Sequence, residues 1–297
     1  MRVISRNKVV YTFSPKHAPI EYIKPSEIVL LETQDGLGEQ IKSEKDSLNN
    51  LDWSKVNPVT GPLFIEGAEC GDTLVVEILD IKVSKKGIII TAPRHGVLGE
   101  KSFNAFIKIV KLGDQYIYFD NDIRVKLNPM IGTVGVAPES NEVPSVSLGN
   151  HGGNMDVREL TSGTKLYLPV LVDGALFAAG DVHAIQADGE LCVSSIEVGA
   201  EILLRFNVIK DKKPKWPILE TVDEYAILTC GDTLDEAARI ASEAAVEALM
   251  REYGWPFEKA YMFGSLSVNL RINQVVDPKK GVRAAIPKNY VSLNSLL

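Results

Sequence analysis

Leu74-Val75-Val76-Glu77-Ile78-Leu79-Asp80-Ile81-Lys82-Val83 is the stretch whose reading settles the fold class. Its apolar and charged residues alternate with the two-residue period of a strand, and Val and Ile supply the branched side chains that suit a pleated surface. A long strand is expected here. Gly71-Asp72 opens it as a turn, Lys85-Lys86-Gly87 closes it, and Ile88-Ile89-Ile90 begins the next strand. Residues 115–119, 123–127, 165–170 and 201–208 repeat the pattern, and fifteen prolines and twenty-three glycines punctuate it. Spacing of this kind predicts a mainly β fold, an antiparallel sandwich or barrel, through about residue 210. The composition then changes. Thr233-Leu234-Asp235-Glu236 is a capping box that opens an alanine-rich helix, with Gly254 and Pro256 as its stop signals. A second helix is expected from Pro256 to about Leu266 and a strand from Val268 to Val276, so residues 211–297 read as an α+β layer packed on the β-rich region 1–210. The two regions are expected to form one continuous unit.

Composition narrows the function. A chain of 297 residues with 45% apolar residues can bury a substantial core, and its net charge of -7 with a pI near 5.3 disfavours nucleic acid or an anionic membrane as partner. Small neutral substrates stay open. The sequence contains no apolar run of the length a membrane helix needs, and Met1-Arg2-Val3-Ile4 lacks a signal-peptide core, so a cytoplasmic location is expected. Cys70, Cys192 and Cys230 are odd in number and far apart, which argues against a disulfide framework or a thiolate zinc site and reads as three small buried residues. Lys42–Val56 is a polar loop that either covers a site or is simply solvated, and Lys210–Lys215 reads as an exposed connection.

Chemistry concentrates in Gly180-Asp181-Val182-His183-Ala184-Ile185-Gln186-Ala187-Asp188-Gly189-Glu190, with Glu197 a little further on. On a strand Asp181 and His183 project from one face, which suits two ligands of a divalent cation or an acid/base pair. A polar strand face with a loop acid or two is the plain alternative. Asp188-Gly189 reads as a hairpin tip: a two-residue turn sets Ser194 opposite His183 and turns Glu197 away, whereas a three-residue bulged tip brings Glu197 to the same face.

The preface to this segment, Gly149-Asn150-His151-Gly152-Gly153-Asn154-Met155-Asp156-Val157-Arg158-Glu159-Leu160, together with Gly180-Asp181-Val182-His183, resembles the central signature of the acetamidase/formamidase family. Three further blocks resemble that family's pattern: Asn57-Pro58-Val59-Thr60-Gly61-Pro62 running on to Gly71-Asp72, Ile131 to Pro138, and Asn273 to Pro278 with Gly281-Val282-Arg283-Ala284. The blocks span nearly the whole chain. One departure is Ala187, where the family pattern has glycine; alanine restricts the backbone to negative φ and could alter the turn. The resemblance implies an amidohydrolase acting on short linear amides, formamide or acetamide in kind. It also draws attention to Asp156 in the "GGNMD" motif and to Asp35 in a "T-x-D" block, where a carboxylate from a distant part of the fold could complete a metal set. Gly152, Gly153 and Asn154 are candidates to hold substrate, since paired glycines let backbone amides approach a ligand closely. His151 and Glu142 are candidate catalytic groups, Glu142 as a possible general base, although His151 reads equally well as part of a tight loop.

No GxSxG elbow, phosphate loop or GxGxxG fingerprint is present, and no lysine is paired with Ser162 or Ser194-Ser195 for a serine amidase mechanism. A metal-activated water is therefore the expected nucleophile, with Asp35, Asp181, His183 and Glu197 as its ligand set. Zinc leads because of the imidazole; calcium, magnesium or manganese suit the carboxylates. A non-catalytic binding or scaffold protein of the same fold and a C-N hydrolase for larger or cyclic amides are the competing readings. A homo-oligomer, a dimer or larger, is expected from the apolar sheet faces and alanine-rich helix.

Overall fold

Strand Thr73–Val83 lies inside a nine-stranded sheet, with Ala200–Ile209 on one side and Lys165–Pro169 on the other, in a computed structural model that describes residues 1–297. All neighbours in this sheet are antiparallel except the edge strand Arg2–Ile4, which runs parallel to Ile28–Thr33. Strict alternation would turn Asp80 toward the core. A register shift opposite Leu203-Leu204 leaves Leu79 unpaired, so Ile78 and Ile81 both point inward while Asp80 is exposed.

A second sheet of twelve strands packs on the first. Its central path runs from Lys86–Thr91 through Glu197–Val198, Phe177–His183 and Met130–Gly135 to Gly152–Asn154. The sandwich interior takes side chains from both sheets, among them Leu74, Val76, Leu166, Leu204 and Phe206 from the first and Leu63, Ile131, Val134, Phe177 and Val182 from the second. Phe177 and Phe206 meet edge to face across it at 5.0 Å. Both sheets end in free edge strands, so the architecture is a sandwich and not a barrel. No helix is long and apolar enough to cross a membrane.

The outer face of the first sheet is covered at its C-terminal end. Helix Leu234–Tyr253 starts at Thr233, whose Oγ1 accepts from Glu236 N, and stops at Gly254 in the left-handed conformation. Its Ala237, Ala241, Ala245 and Ala248 lie on Val75, Tyr167, Ile227, Val282 and Ala284. Small side chains at i, i+4 and i+8 let the helix settle close to the sheet. The sheet joins the two regions seen in the sequence, since Ile218–Glu220 pairs with Lys165–Pro169.

Three local expectations change. The loop from residue 184 to 196 separates His183 from Glu197, so Asp188-Gly189 is not the tip of a tight hairpin. Strand Asn269–Ile272 ends early, because Asn273 to Asp277 leave the sheet to close over the second sheet's site. Cys70 is exposed, and only Cys230 is buried.

Candidate active site

Strand Phe177–His183 changes partner along one edge. Phe177, Ala179 and Gly180 pair with Leu63, Thr60 and Val59, whereas Val182 and His183 pair with Val198 and Glu197. Asp181 sits at the exchange with φ of 53°, a left-handed conformation that costs a non-glycine residue strain. The space for its carboxylate comes from two glycines. A Cβ on Gly132 would lie 2.8 Å from Asp181 Oδ2 and 2.7 Å from Asp156 Oδ1, and one on Gly36 would lie 2.1 Å from Asp181 Oδ1 and 2.4 Å from Glu197 Oε2. Neither position tolerates a side chain while the carboxylates stay where they are.

His183 is the hub of the cluster. Its Nε2 stands 3.5 Å from Asp181 Oδ1 and 3.3 Å from Glu197 Oε2, and all three residues are at least nine-tenths buried. Its Nδ1 is 2.9 Å from Gln186 Oε1, while Gln186 Nε2 donates to the carbonyls of Asp156 and Asn273. Because the Gln186 amide is oriented by those two carbonyls, its oxygen faces the ring, so Nδ1 donates to it and Nε2 is the ring nitrogen turned toward the carboxylates. Asn57 Nδ2 donates to Asp181 Oδ2 at 3.0 Å and Thr133 Oγ1 lies 3.1 Å from the same oxygen, leaving Oδ1 for the centre. Ser195 N donates to Glu197 Oε1, and Glu197 Oε2 has no hydrogen-bond partner.

Asp156 and Glu190 extend the cluster on the Nδ1 side of the ring. Both oxygens of Asp156 are buried without a hydrogen-bond partner. Burial, reinforced by the Asp181 charge, pushes Asp156 up to about 7, and burial likewise pushes Glu197 up to about 8. Burial and the Asp156 carboxylate raise Glu190 well above its ordinary value. Burial disfavours the charged ring of His183, but Glu197 and Asp181 outweigh it and raise its pKa. So many buried carboxylates around one imidazole need a cation to be stable as anions. The donor set fits one: ligand atoms around tetrahedral zinc, bound at about 2.0–2.1 Å, lie roughly 3.4 Å apart, close to the two separations from His183 Nε2.

These groups line a cavity of about 520 Å³. Asp156, Asp181, His183, Glu197 and Asn154 all reach it. Asn154 accepts from Thr133 Oγ1 at 2.6 Å and donates to Asp277 Oδ2 at 2.7 Å. Asp35 does not join them; its Oδ1 accepts from the amides of Leu37 and Glu39, and it is Gly36 that meets the carboxylates. Glu142 is exposed beside the short strand Val143–Pro144. His151 is buried away from the cavity wall, edge-on to Phe13 at 5.2 Å. Gly152 and Gly153 have φ of 95° and 92°, and a Cβ on either would strike the carbonyl of Val134 or Ser147, so they serve strand packing and not the cavity surface.

Sequence reasoning passed over Glu190 and Asp277, although both lie in stretches that carry the family pattern. Periodicity offers no signal for them because both sit on loops. Arg283, almost fully buried, ties the loops together: Nη2 donates to Asp188 and Glu159, and Nη1 to Ile272 O and Asn273 Oδ1. Gly189 N also donates to Asn273 O.

The profile of the Acetamidase/Formamidase family matches residues 5–148 and 143–291. The chain belongs to the acetamidase/formamidase family. It is 36% identical to a crystallised protein of Thermoanaerobacter tengcongensis, described as a predicted acetamidase/formamidase, with 97% of each chain covered and a TM-score of 0.94. It is 35% identical to an acetamidase of Bacillus halodurans, covering 100% of this chain and 99% of that one with a TM-score of 0.95. It is 25% identical to a formamidase of Methylophilus methylotrophus over 87% of this chain and 83% of the relative. The family is one of amide hydrolases, so the scaffold reading falls away. Ala187, the departure from the family pattern, is exposed and keeps a negative φ; the positive φ values fall on Gly189 and Glu190 instead, so the alanine imposes no strain.

Proposed function

We propose that this chain hydrolyses linear primary amides to carboxylate and ammonia at the His183 cluster, with a divalent cation, zinc by preference, held by Asp181, His183 and Glu197. The observation that carries the reading is the placement of His183 Nε2, 3.5 Å from Asp181 Oδ1 and 3.3 Å from Glu197 Oε2 with Nδ1 tied back to Gln186, so that a cation could take the place of a proton among the three atoms. A cation bound there would lower the pKa of a coordinated water toward neutrality and polarise the amide carbonyl. Two carboxylates and one imidazole leave a fourth position open, as hydrolytic zinc sites do.

The remaining groups handle the amide nitrogen. Asp156, with two unpartnered oxygens and a pKa near 7, is suited to accept an amide N–H and to pass a proton from water to the departing nitrogen. A primary amide brings two N–H donors to this acidic end, and ammonia leaves as ammonium beside it. Asp35, Glu142 and His151, outside the cavity, have no part in this reading. The substrates named for the relatives, formamide and acetamide, set the reaction type.

Metal analysis of the purified protein together with ammonia release from formamide, acetamide and propionamide tests the proposal. His183→Ala and Asp181→Ala are expected to lose bound metal and turnover together while circular dichroism stays that of the folded chain. Full metal occupancy in either variant, or turnover that survives chelation, would sink the assignment.

A further inference from the structure

The cavity is too large for the amides whose names the family carries. Formamide and acetamide have three and four heavy atoms and displace roughly as many waters, each with a share of about 30 Å³, so most of the 520 Å³ remains once the amide group is in place. Part of the lining is a continuous apolar wall. Leu37, Val56, Ile90 and Val193 form it, with Leu37 and Ile90 belonging to a separate apolar cluster beneath the segment from residue 37 to 56. Trp53 stands over the rim, 43% exposed, with its indole stacked on His95 at 5.5 Å and an interplanar angle of 4°. Asp156, Glu190 and Asp277 gather as a second group in the lining, which Val146, Val276 and Lys280 also reach.

That asymmetry fixes how an amide lies. The nitrogen end, a donor of N–H bonds that departs as a cation, belongs among the carboxylates, and the acyl end, which carries no charge until the product forms, belongs on the apolar wall. A substituent on the nitrogen would have to be buried among carboxylates. We propose that the preferred substrates are primary amides with an apolar acyl tail, hexanamide or phenylacetamide in size, seated along Leu37, Val56 and Val193 under Trp53. The segment expected from sequence to be either a site cover or a solvated loop is thus the acyl roof, anchored by buried Leu48 and Leu51. The inference rests on the amidase reading, and its test separates the two.

The test measures kcat/KM for acetamide, butyramide, hexanamide and phenylacetamide on the zinc-loaded full chain, and the binding of the same amides by calorimetry. The specificity constant is expected to rise about fourfold per added methylene, mostly through KM, as a carbon moves from water to an apolar wall. Trp53→Ala and Val193→Trp, which remove the roof and fill the wall, are each expected to lower the hexanamide-to-acetamide ratio about tenfold. A flat or falling series in an active enzyme overturns the tail and leaves the amidase reading standing. If no amide is cleaved but hexanamide binds more tightly than acetamide, the apolar site is upheld and the amidase reading fails. Equal binding of the two overturns the tail whatever the turnover.

Discussion

Gly36 shows how much a single residue settles at this site. Its conformation is one that any residue can adopt, so nothing in backbone freedom demands glycine; what demands it is the pair of oxygens, Asp181 Oδ1 and Glu197 Oε2, which lie within 2.4 Å of the place a methyl carbon would take. Gly36→Ala should therefore spread those carboxylates and, on the proposed metal reading, weaken the binding of added zinc by tenfold or more, in line with the roughly 10–100-fold costs of disturbing a ligand's support. Turnover should fall with it. A calorimetric titration of the variant with zinc checks this, and unchanged affinity would show that the two carboxylates do not share an ion. At the same scale Asp35 is instructive. A carboxylate next to Gly36 in sequence reads as a ligand, yet the chain presents the glycine to the site and uses the acid to cap its own turn through Leu37 and Glu39.

At the scale of elements, the site is a strand exchange closed by two loops. Strand Phe177–His183 supplies Asp181 and His183 where its partner changes, Glu197–Val198 supplies the opposing carboxylate, and the stretches 184–190 and 273–277 bring Glu190 and Asp277. Arg283 holds the loops from strand Lys280–Pro287, giving bonds to Asp188 in one and Asn273 in the other. Replacing it with Met removes bonds to Asp188 and Glu159, which stay partly open to water, and leaves buried Asn273 Oδ1 unpaired, so the cost should be about 2 kcal/mol. Arg283→Lys should recover little, because one ammonium cannot reach acceptors spread around a planar guanidinium. Urea unfolding of both variants, with zinc affinity measured below the transition, is the check; a Lys variant as stable as the parent would mean that charge alone, and not the fork, holds the loops.

Across the whole molecule, acid stability reports on a histidine that the cavity does not use. Burial, with a smaller push from the Lys279 charge, holds His151 at about 4, against 6.5 in the unfolded chain. The unfolded chain thus takes up a proton below 6.5 that the native ring refuses until about 4, so the contribution to stability is complete above 6.5 and is lost as pH falls through this window. It amounts to roughly 3 kcal/mol. His151→Gln lacks it, and the stability difference between parent and variant, measured by urea unfolding at pH 7 and pH 4.5, should shrink at the lower pH; an equal difference at both would place the ring in water.

The elements of this fold are written locally. Alternation in 74–83, the Thr233 cap and the Gly254 stop depend on neighbours a few residues away, and strands and helices form there because local periodicity and hydrogen bonding dictate them. Asp181 and His183 were legible for the same reason, two residues apart on one strand. The sequence also reads Glu197 as a ligand, through a bulged three-residue tip; Glu197 does stand opposite His183, but across a thirteen-residue excursion from 184 to 196 whose register is set by what the loop packs against and not by its Asp-Gly dipeptide. Glu190, Asp277, Gly36 and the Trp53 roof needed the folded chain to be seen, since each is brought to the cavity by contacts between segments far apart in sequence, and no local pattern encodes where two loops will meet.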